Sequence, residues 1–504
     1  MSGCATLPPE RGPAPRSSVA LTPQWRASTG SRARTLEVFV ENHASSPLPR
    51  FSLSIDGIPL PHVPPERYDG GKPPAPLWWR VSPSGAIPPG GHAVVALCFT
   101  NAPAPFTLSL DGNGERLAAV SVPAPAPPRK RIADVAFAPR GPEVFIKVES
   151  SGVPVSSLSL DGVGAPFDVL RDGRVGRPFV LAAKTRSALR GGDRLLVEAR
   201  FADGGRAMAS ARVLRGHVLE VLSVDAKTRK AIGADVSPTI IGAPFDDVGC
   251  YDLETGQAGA AAKAMLRHLA GKPLPNERIS AVRFCTGCAV ETWDTYGALA
   301  DAAISSPFPI LRVGTAAGRM ELEERSFLHA ADASAPRPVM WTAQLFRHGA
   351  TIPPPDETLS AFWMTLAMGS RGVSAYLWEG GSGYVGMNAM PEMRETWKAM
   401  RDAMRSHRDR LCPLVAADQF EAARGALRIY VAWNPGKGML VVWRTASAAH
   451  LEEALDFGVR VPEWLAPRRV RDLVRGVAGP VAPAHGAIGL RADAGASHGA
   501  FWIE

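Results

Sequence analysis

Residues 372–384 read GVSAYLWEGGSGY, so that an apolar run ends in two aromatic rings, one glutamate and a glycine-rich turn. The rings of Tyr376 and Trp378 offer flat apolar faces on which a sugar can stack. The carboxyl group of Glu379 has the chemistry that glycosidic bond cleavage requires. The stretch therefore predicts a carbohydrate site in which Glu379 is catalytic, binds the sugar or fixes the loop. The plainer interpretation is a solvated turn residue.

Glycoside hydrolysis uses two carboxyl groups, about 5–5.5 Å apart in retaining enzymes and about 6.5–9.5 Å apart in inverting ones. The stretch RFCTGCAVETWD supplies Glu291 and Asp294 after a second apolar run, and we predict both as catalytic candidates. Asp246, in APFDDVGCYD, also ends an apolar run and is predicted either to line the pocket or to cap the next turn. Trp341 and Gln344 lie in PVMWTAQLF, near a further strand end, and are predicted to contact substrate.

The elements that must position these residues alternate between strand-like and helix-like patterns over residues 216–412. The predicted strands are SPTIIGAPF, ISAVRFC, PILRVG, PVMWTAQLF and GVSAYLW. The predicted helices are TGQAGAAAKAMLRHLAG, DTYGALADAAI, PDETLSAFWMTLAMGS and MPEMRETWKAMRDAMRSHRDRL, and MELEER at 320–325 is predicted to be a solvated helix face. Such alternation predicts a parallel sheet with crossover helices. It fits a (β/α)8-like barrel, complete or incomplete, whose sites lie at the carboxyl ends of the strands.

The flanking regions are predicted to be all-β. The fragments FSLSIDG, FTLSLDG and SSLSLDG each alternate and end in Asp-Gly, which favours strands closed by tight turns. We predict one β-sandwich over 30–125, a second over 130–215 and a C-terminal β-sandwich over 413–504. The proline-rich VPAPAPPRKR joins the first two.

Residues 1–29 begin MSGCATLPPERGPAPRSS, which resembles the end of a bacterial lipoprotein signal followed by a tether. This predicts Cys4 as a lipid anchor and an exported protein of the cell envelope or periplasm, with no other contact with a membrane. The net charge of +8 is scattered and accompanies no nucleic-acid-binding motif, so no nucleic-acid partner is predicted. Cys285 and Cys288 form a single CxxC pair that no second pair matches, and the histidines lack ligand spacing, so neither a metal nor a cofactor is predicted.

The stretch RPVMWTAQLFRHGATIPPPDETLSAFWMTLAMGSRGVSAYLWEGG resembles strands seven and eight of bacterial glycoside hydrolases of the large retaining (β/α)8 clan, which carry accessory β-sandwiches. The resemblance extends over about residues 235–500. It implies a catalytic acid after strand four and a nucleophilic glutamate at the end of strand seven. At the end of the strand that resembles strand seven, this chain has Ala343 and Gln344 and no glutamate. After the strand that resembles strand four, the only carboxylates in RFCTGCAVETWD are those of Glu291 and Asp294.

Two functions follow from these residues. One is an exported glycoside-hydrolase-like protein that acts on or binds poly- or oligosaccharide, with hydrolysis by two carboxylates. The alternative is a catalytically inactive carbohydrate-binding or structural surface protein on a degenerate barrel. Gln344 favours the alternative, because an amide has no negative charge with which to attack a sugar carbon.

Overall fold

The computed structural model describes residues 18–26, 34–61, 76–83, 85–126, 128–174, 176–221, 225–234, 240–242, 279–285, 293–294, 296–381, 383–481 and 483–504. Within these residues most elements are β-strands, and the helices are concentrated in the middle of the chain. The strands form several antiparallel sheets and one parallel sheet.

The first β module consists of two four-stranded antiparallel sheets, β1-β2-β6-β5 and β4-β3-β7-β8. Apolar side chains from both sheets form one core between them. The strands are β1 (Val19–Trp25), β2 (Arg34–Asn42), β3 (Ser52–Ile55), β4 (Ile58–Leu60), β5 (Trp78–Ser82), β6 (His92–Phe99), β7 (Phe106–Gly112) and β8 (Glu115–Val122).

The second β module has the same two-sheet arrangement, with strand orders β13-β14-β10-β9 and β12-β11-β15-β16 and its own core. Its strands are β9 (Arg131–Phe137), β10 (Glu143–Glu149), β11 (Val155–Leu160), β12 (Val163–Ala165), β13 (Phe167–Arg171), β14 (Phe179–Lys184), β15 (Arg194–Phe201) and β16 (Arg206–Arg212).

Two of the three Asp-Gly pairs form the predicted hairpin turns. Asp56 and Gly57 join β3 to β4 with φ of 48° and 79°, and Asp161 and Gly162 join β11 to β12 with φ of 50° and 74°. The third prediction is wrong, because Asp111-Gly112 continues β7 and the turn lies at 113–114. Asn-Gly tolerates the positive φ of such a turn as well as Asp-Gly does.

The central parallel sheet has the order β17-β23-β21-β20-β19-β18. In chain order its region contains β17 (Val218–Val221), β18 (Ile240–Gly242), β19 (Ile279–Cys285), β20 (Ala302–Ser306), β21 (Val339–Gln344), a short β22 (Arg347–His348), β23 (Gly372–Tyr376) and β24 (Tyr384–Val385), which pairs with β22. Its helices are α1 (Ala226–Ala231), α2 (Ala316–Ser334), α3 (Pro355–Ala367), α4 (Pro391–Ser406) and α5 (Arg408–Leu411). The described strands thus form one six-stranded sheet with β17 and β18 at its edges. They do not form a closed eight-stranded barrel.

Two elements of this region differ from the sequence-based prediction. The stretch DTYGALADAAI is not a helix where it is described, but forms turns that lead into β20. Only glycine fits at position 297 in these turns, because a Cβ atom there would lie 1.7 Å from the Ala333 carbonyl oxygen. The predicted strand PILRVG begins with a short 3-10 helix, Pro309–Leu311.

The third β module contains the sheets β25-β26-β27-β32-β29-β30 and β28-β31. Its core also takes in Ala136, Phe145 and Val180 of the second module, so the two pack together. The strands are β25 (Val415–Ala422), β26 (Leu427–Asn434), β27 (Gly438–Thr445), β28 (Leu455–Arg460), β29 (Arg469–Asp472), β30 (Ala478–Pro480), β31 (Ala487–Ala492) and β32 (His498–Ile503).

Buried ion pairs join the two N-terminal β modules to the parallel-sheet region. The Asp301 carboxylate, beside β20, receives Arg194 of β15 at 2.8 Å and Arg80 of β5 at 3.3 Å. Burial alone raises the pKa of Asp301, but Arg194, Arg80 and Arg212 outweigh it and hold that pKa far below its usual range. No helix in the described part of the chain has the length and apolar character needed to cross a membrane.

Candidate functional site

One face of the parallel sheet carries buried polar side chains. Alternate residues of β21 and β23, such as Trp341 and Val373, face the helices and join the main core. The residues between them point to the opposite face. There, Glu220, Arg283, Ser306, Thr342 and Ser374 form the group that we call the inner polar network.

The Arg283 guanidinium is the centre of the inner polar network. It donates to the Thr342 hydroxyl at 2.6 Å, to Ser306 at 3.0 Å and to Ser374 at 3.2 Å. Ser374 in turn donates to the Glu220 carboxylate at 2.7 Å, and that carboxylate lies 3.8 Å from Arg283. The buried positive and negative charges are therefore both compensated within one hydrogen-bonded group.

These contacts show that the sheet is strongly curved. Arg283 is on β19 and Glu220 is on β17, four strands away in the sheet order. In a flat sheet with strands about 4.8 Å apart they would be separated by about 19 Å, farther than one arginine can reach. The strands therefore curl around Arg283, and the network fixes the spacing of five of them close to their carboxyl ends.

Aromatic rings lie at those carboxyl ends. Tyr376, the last residue of β23, has its ring centre 5.2 Å from that of Phe308 and 5.4 Å from that of Phe346. Tyr384 lies 5.1 Å from Phe346 and 4.9 Å from His348. Phe346 is buried, Phe308, Tyr376 and Tyr384 are half-buried, and His348 is exposed. We call these five residues the aromatic edge.

Glu379 and Trp378 follow Tyr376 directly. The Glu379 side chain is exposed in the turn after β23. The Trp378 side chain is half-buried and packs against the main core. The structure thus places both within three residues of the aromatic edge, and the catalytic role of Glu379 stays a prediction.

Gln344 and Trp341 of β21 are both buried, but in different surroundings. The Gln344 carbonyl oxygen accepts a hydrogen bond from the Ile310 backbone N–H at 3.3 Å, and its buried amide nitrogen has no partner in the described part of the chain. Trp341 is only 1% exposed and lies under α2. The Trp341 indole is thus enclosed in the core, and its contact with a substrate stays a prediction.

The sequence-based prediction missed Glu323. It belongs to the MELEER stretch, which was predicted to be solvated, yet its side chain is buried and accepts a hydrogen bond from the Trp341 indole N–H at 2.8 Å. Burial raises the pKa of the Glu323 carboxyl, and the hydrogen bond from Trp341 opposes this only in part. The resulting pKa is about 8. Its position could have been found from spacing, since Met320, Glu323 and Phe327 recur on one helix face.

Glu323, Gln344 and Trp341 line a cavity of about 30 Å³. That volume holds one or two water molecules and no sugar, for which sites of about 300–1,000 Å³ are usual. Glu357 also lines it, and its two oxygens are held by Arg319 at 2.6 and 2.7 Å. This cavity is therefore a packing feature beneath the carboxyl ends of the strands.

Asp294 is buried, in contrast to the exposed Glu379. Its carboxylate lies near the thiol of Cys98 on β6. The pKa of that thiol is raised to about 12, mainly by burial and to a smaller extent by the negative charge of Asp294. The neighbouring Trp293 stacks on Phe284 with ring centres 5.0 Å apart. Asp294 therefore lies towards the first β module.

Glu291, Asp246 and Cys4 lie outside the described residues.

Among the residues that the structure describes, no group of three or more histidine, cysteine, aspartate or glutamate side chains has an arrangement suited to a metal ion.

Comparisons with known proteins give weak similarities only. No protein-family model matches the chain, and no curated protein matches it. Solved structures that it resembles are glycoside hydrolases. A GH27 β-L-arabinopyranosidase from Geobacillus stearothermophilus, in complex with arabinose, is 9% identical with a TM-score of 0.30, over 48% of this chain and 54% of that one. AmyP in complex with maltose is 9% identical with a TM-score of 0.33, over 45% and 55%.

A putative α-galactosidase from Bacteroides fragilis is 9% identical with a TM-score of 0.27, over 74% of this chain and 97% of that one. The chain spans about half the length of the first two structures. TM-scores this low assign neither a fold nor an activity to this chain.

Proposed function

We propose that this protein binds carbohydrate at the carboxyl ends of its curled parallel sheet, and that this sheet is a reduced (β/α)8 barrel. The observation that carries the proposal is the aromatic edge, in which half-buried rings stand directly beyond the inner polar network. The hydrogen bonds of that network support it, because a binding site needs side chains held in place by the scaffold.

The aromatic edge and Glu379 together have the two kinds of group that a sugar requires. Tyr376 and Tyr384 present flat apolar rings with a hydroxyl at the rim. His348 and Glu379 are exposed beside them and can hydrogen-bond to sugar hydroxyls.

Binding without hydrolysis is the better-supported form of the proposal. Gln344, at the end of β21, is an amide and cannot act as a nucleophile. Of the carboxylates near it, Glu357 is held by Arg319 and Glu323 is enclosed with its pKa raised to about 8. The rival is hydrolysis by Glu379 together with Glu291, Asp294 or Asp246.

A glycan array followed by calorimetry on the best ligand tests the proposal. Tyr384→Ala should weaken binding about two- to tenfold, which is the contribution expected of one aromatic contact. Phe167→Ala, which removes a half-buried ring from β13, is the matched control and should bind as the wild type does.

Equal affinity of the wild type and Tyr384→Ala, or no glycan bound at all, would overturn this assignment. Release of reducing ends by the wild type, abolished in Glu379→Gln, would establish the rival instead.

The N-terminal stretch adds a proposal on location. We infer from its resemblance to a lipoprotein signal that the protein is exported and acylated on Cys4. Metabolic labelling with a radioactive fatty acid should mark the wild type and leave Cys4→Ser unlabelled, and an unlabelled wild type would refute it.

A further inference from the structure

A second cleft lies between the second and third β modules. The loop between β13 and β14 forms one side of it, and β25 and β28 form the other. Its volume is about 490 Å³, within the range of about 300–1,000 Å³ that small-molecule sites occupy. We call it the arginine cleft, and its charged and aromatic lining residues are Arg174, Arg177, Asp418, Phe420 and Arg460.

The arginine cleft has an excess of positive charge, with three guanidinium groups and one carboxylate in its lining. Asp418 is already neutralised, because Arg177 lies 3.3 Å from one of its oxygens and Arg171 lies 3.3 Å from the other. Arg174 and Arg460 are exposed, and neither makes an ion pair within the described residues. These two guanidinium groups are thus available to a ligand.

The cleft is held in place by contacts that do not use its free arginines. Arg171 donates to the Ala417 carbonyl oxygen at 2.6 Å and lies 5.3 Å from the centre of the Trp433 ring. Both contacts tie the β13 side of the cleft to the third module. The two modules are therefore in contact beside the cleft without a ligand.

A larger cleft of about 770 Å³ lies between β10, α2 and β27, but its charges are largely paired. Arg131 contacts both Glu149 and Asp332, and Arg444 contacts Glu324 at 2.6 Å. A ligand there would have to compete with these ion pairs. The comparison favours the arginine cleft as a site for an anion.

We propose that the arginine cleft binds a carboxylate-bearing oligosaccharide. Guanidinium groups bind carboxylates through paired, charge-assisted hydrogen bonds, which suits Arg174 and Arg460. The half-buried ring of Phe420, which lines the same cleft, supplies an apolar face for a sugar ring. The cleft shares no residue with the aromatic edge, so this inference does not depend on the proposed function.

Calorimetric titration of the full-length protein with trigalacturonate tests the inference. The double variant Arg174→Ala/Arg460→Ala should bind at least about tenfold more weakly, because it loses charge-assisted contacts. The control Arg116→Ala/Arg200→Ala removes two exposed arginines elsewhere and changes the net charge equally, so it should bind as the wild type does. The wild-type Kd should rise with sodium chloride, since exposed charges are screened.

Four results would overturn the inference. Equal weakening in the two double variants would show an effect of net charge alone. Equal affinity for the methyl ester of trigalacturonate would show that carboxylates are not recognised, and displacement by sodium sulfate at similar concentrations would show a simple anion site. Loss of binding in Tyr384→Ala with binding retained in Arg174→Ala/Arg460→Ala would place the sugar at the aromatic edge instead.

Discussion

The buried carboxyl of Glu323 makes the stability of this protein depend on pH in a defined direction. Because burial raises its pKa to about 8 from 4.5, the folded state favours the protonated form. The protonated Glu323 carboxyl therefore contributes fully to the stability of the fold below about pH 4.5, where Glu323 is protonated in both the folded and the unfolded protein. This contribution is lost progressively as the pH rises towards about 8, and changes little above that.

The size of the effect follows from the same pKa. A rise from 4.5 to about 8 corresponds to about 5 kcal/mol of preference for the protonated form, an upper limit because water entry into the 30 Å³ cavity would reduce it. A loss of this size is a large part of the stability of an ordinary domain, about 5–15 kcal/mol.

Glu323→Gln removes the titration and keeps a carbonyl oxygen to accept from the Trp341 indole. As the pH rises from 5 to 8.5, we expect the free energy of unfolding of the variant to increase by several kcal/mol relative to that of the wild type. Urea denaturation followed by tryptophan fluorescence at each pH measures this difference. Glu321→Gln, on the exposed side of the same helix, is the control and should leave the pH dependence unchanged. Parallel pH profiles of the wild type and Glu323→Gln would refute the argument.

Two further perturbations test the buried ion pairs. Arg283→Met takes the Arg283 charge away from the buried Glu220 carboxylate, so the free energy of unfolding should fall by about 3–5 kcal/mol. The double variant Glu220→Gln/Arg283→Met should recover part of that loss in the same urea assay. No recovery would mean that the two residues are not coupled. Glu37 contacts Arg26 and Arg337, which outweigh the effect of burial and lower its pKa, so its stabilisation is present above about pH 4.5 and is lost as the pH falls. Glu37→Gln should therefore unfold more easily than the wild type at pH 7 and approach it at pH 3 in thermal melts, and a constant difference at all pH values would contradict this.

Much of the local structure was predictable because it depends on residues close together in the chain. Alternation of apolar and polar residues indicated strands such as β3 and β11, and Asp-Gly pairs located their turns. Strand, helix and strand in sequence indicated parallel pairing for β21 and β23, which the structure has. The aromatic and acidic character of 376–379 was likewise visible in the sequence.

Tertiary structure decided which side of each element is enclosed. Glu323 and Trp341 both looked available to solvent or substrate, yet the packing of α2 on β21 buries the two together. The inner polar network joins residues of five strands far apart in sequence, and no local pattern indicates that Arg283 and Glu220 meet. The arginine cleft likewise depends on two modules docking through Arg171 and Asp418.

The sequence by itself determined the type of most strands and helices, because backbone preference and side-chain periodicity act over a few residues. Only the folded chain decided the curvature of the parallel sheet, the burial of its charges and the position of its clefts. Those properties arise from desolvation and ion pairing between segments that the sequence separates by tens to hundreds of residues.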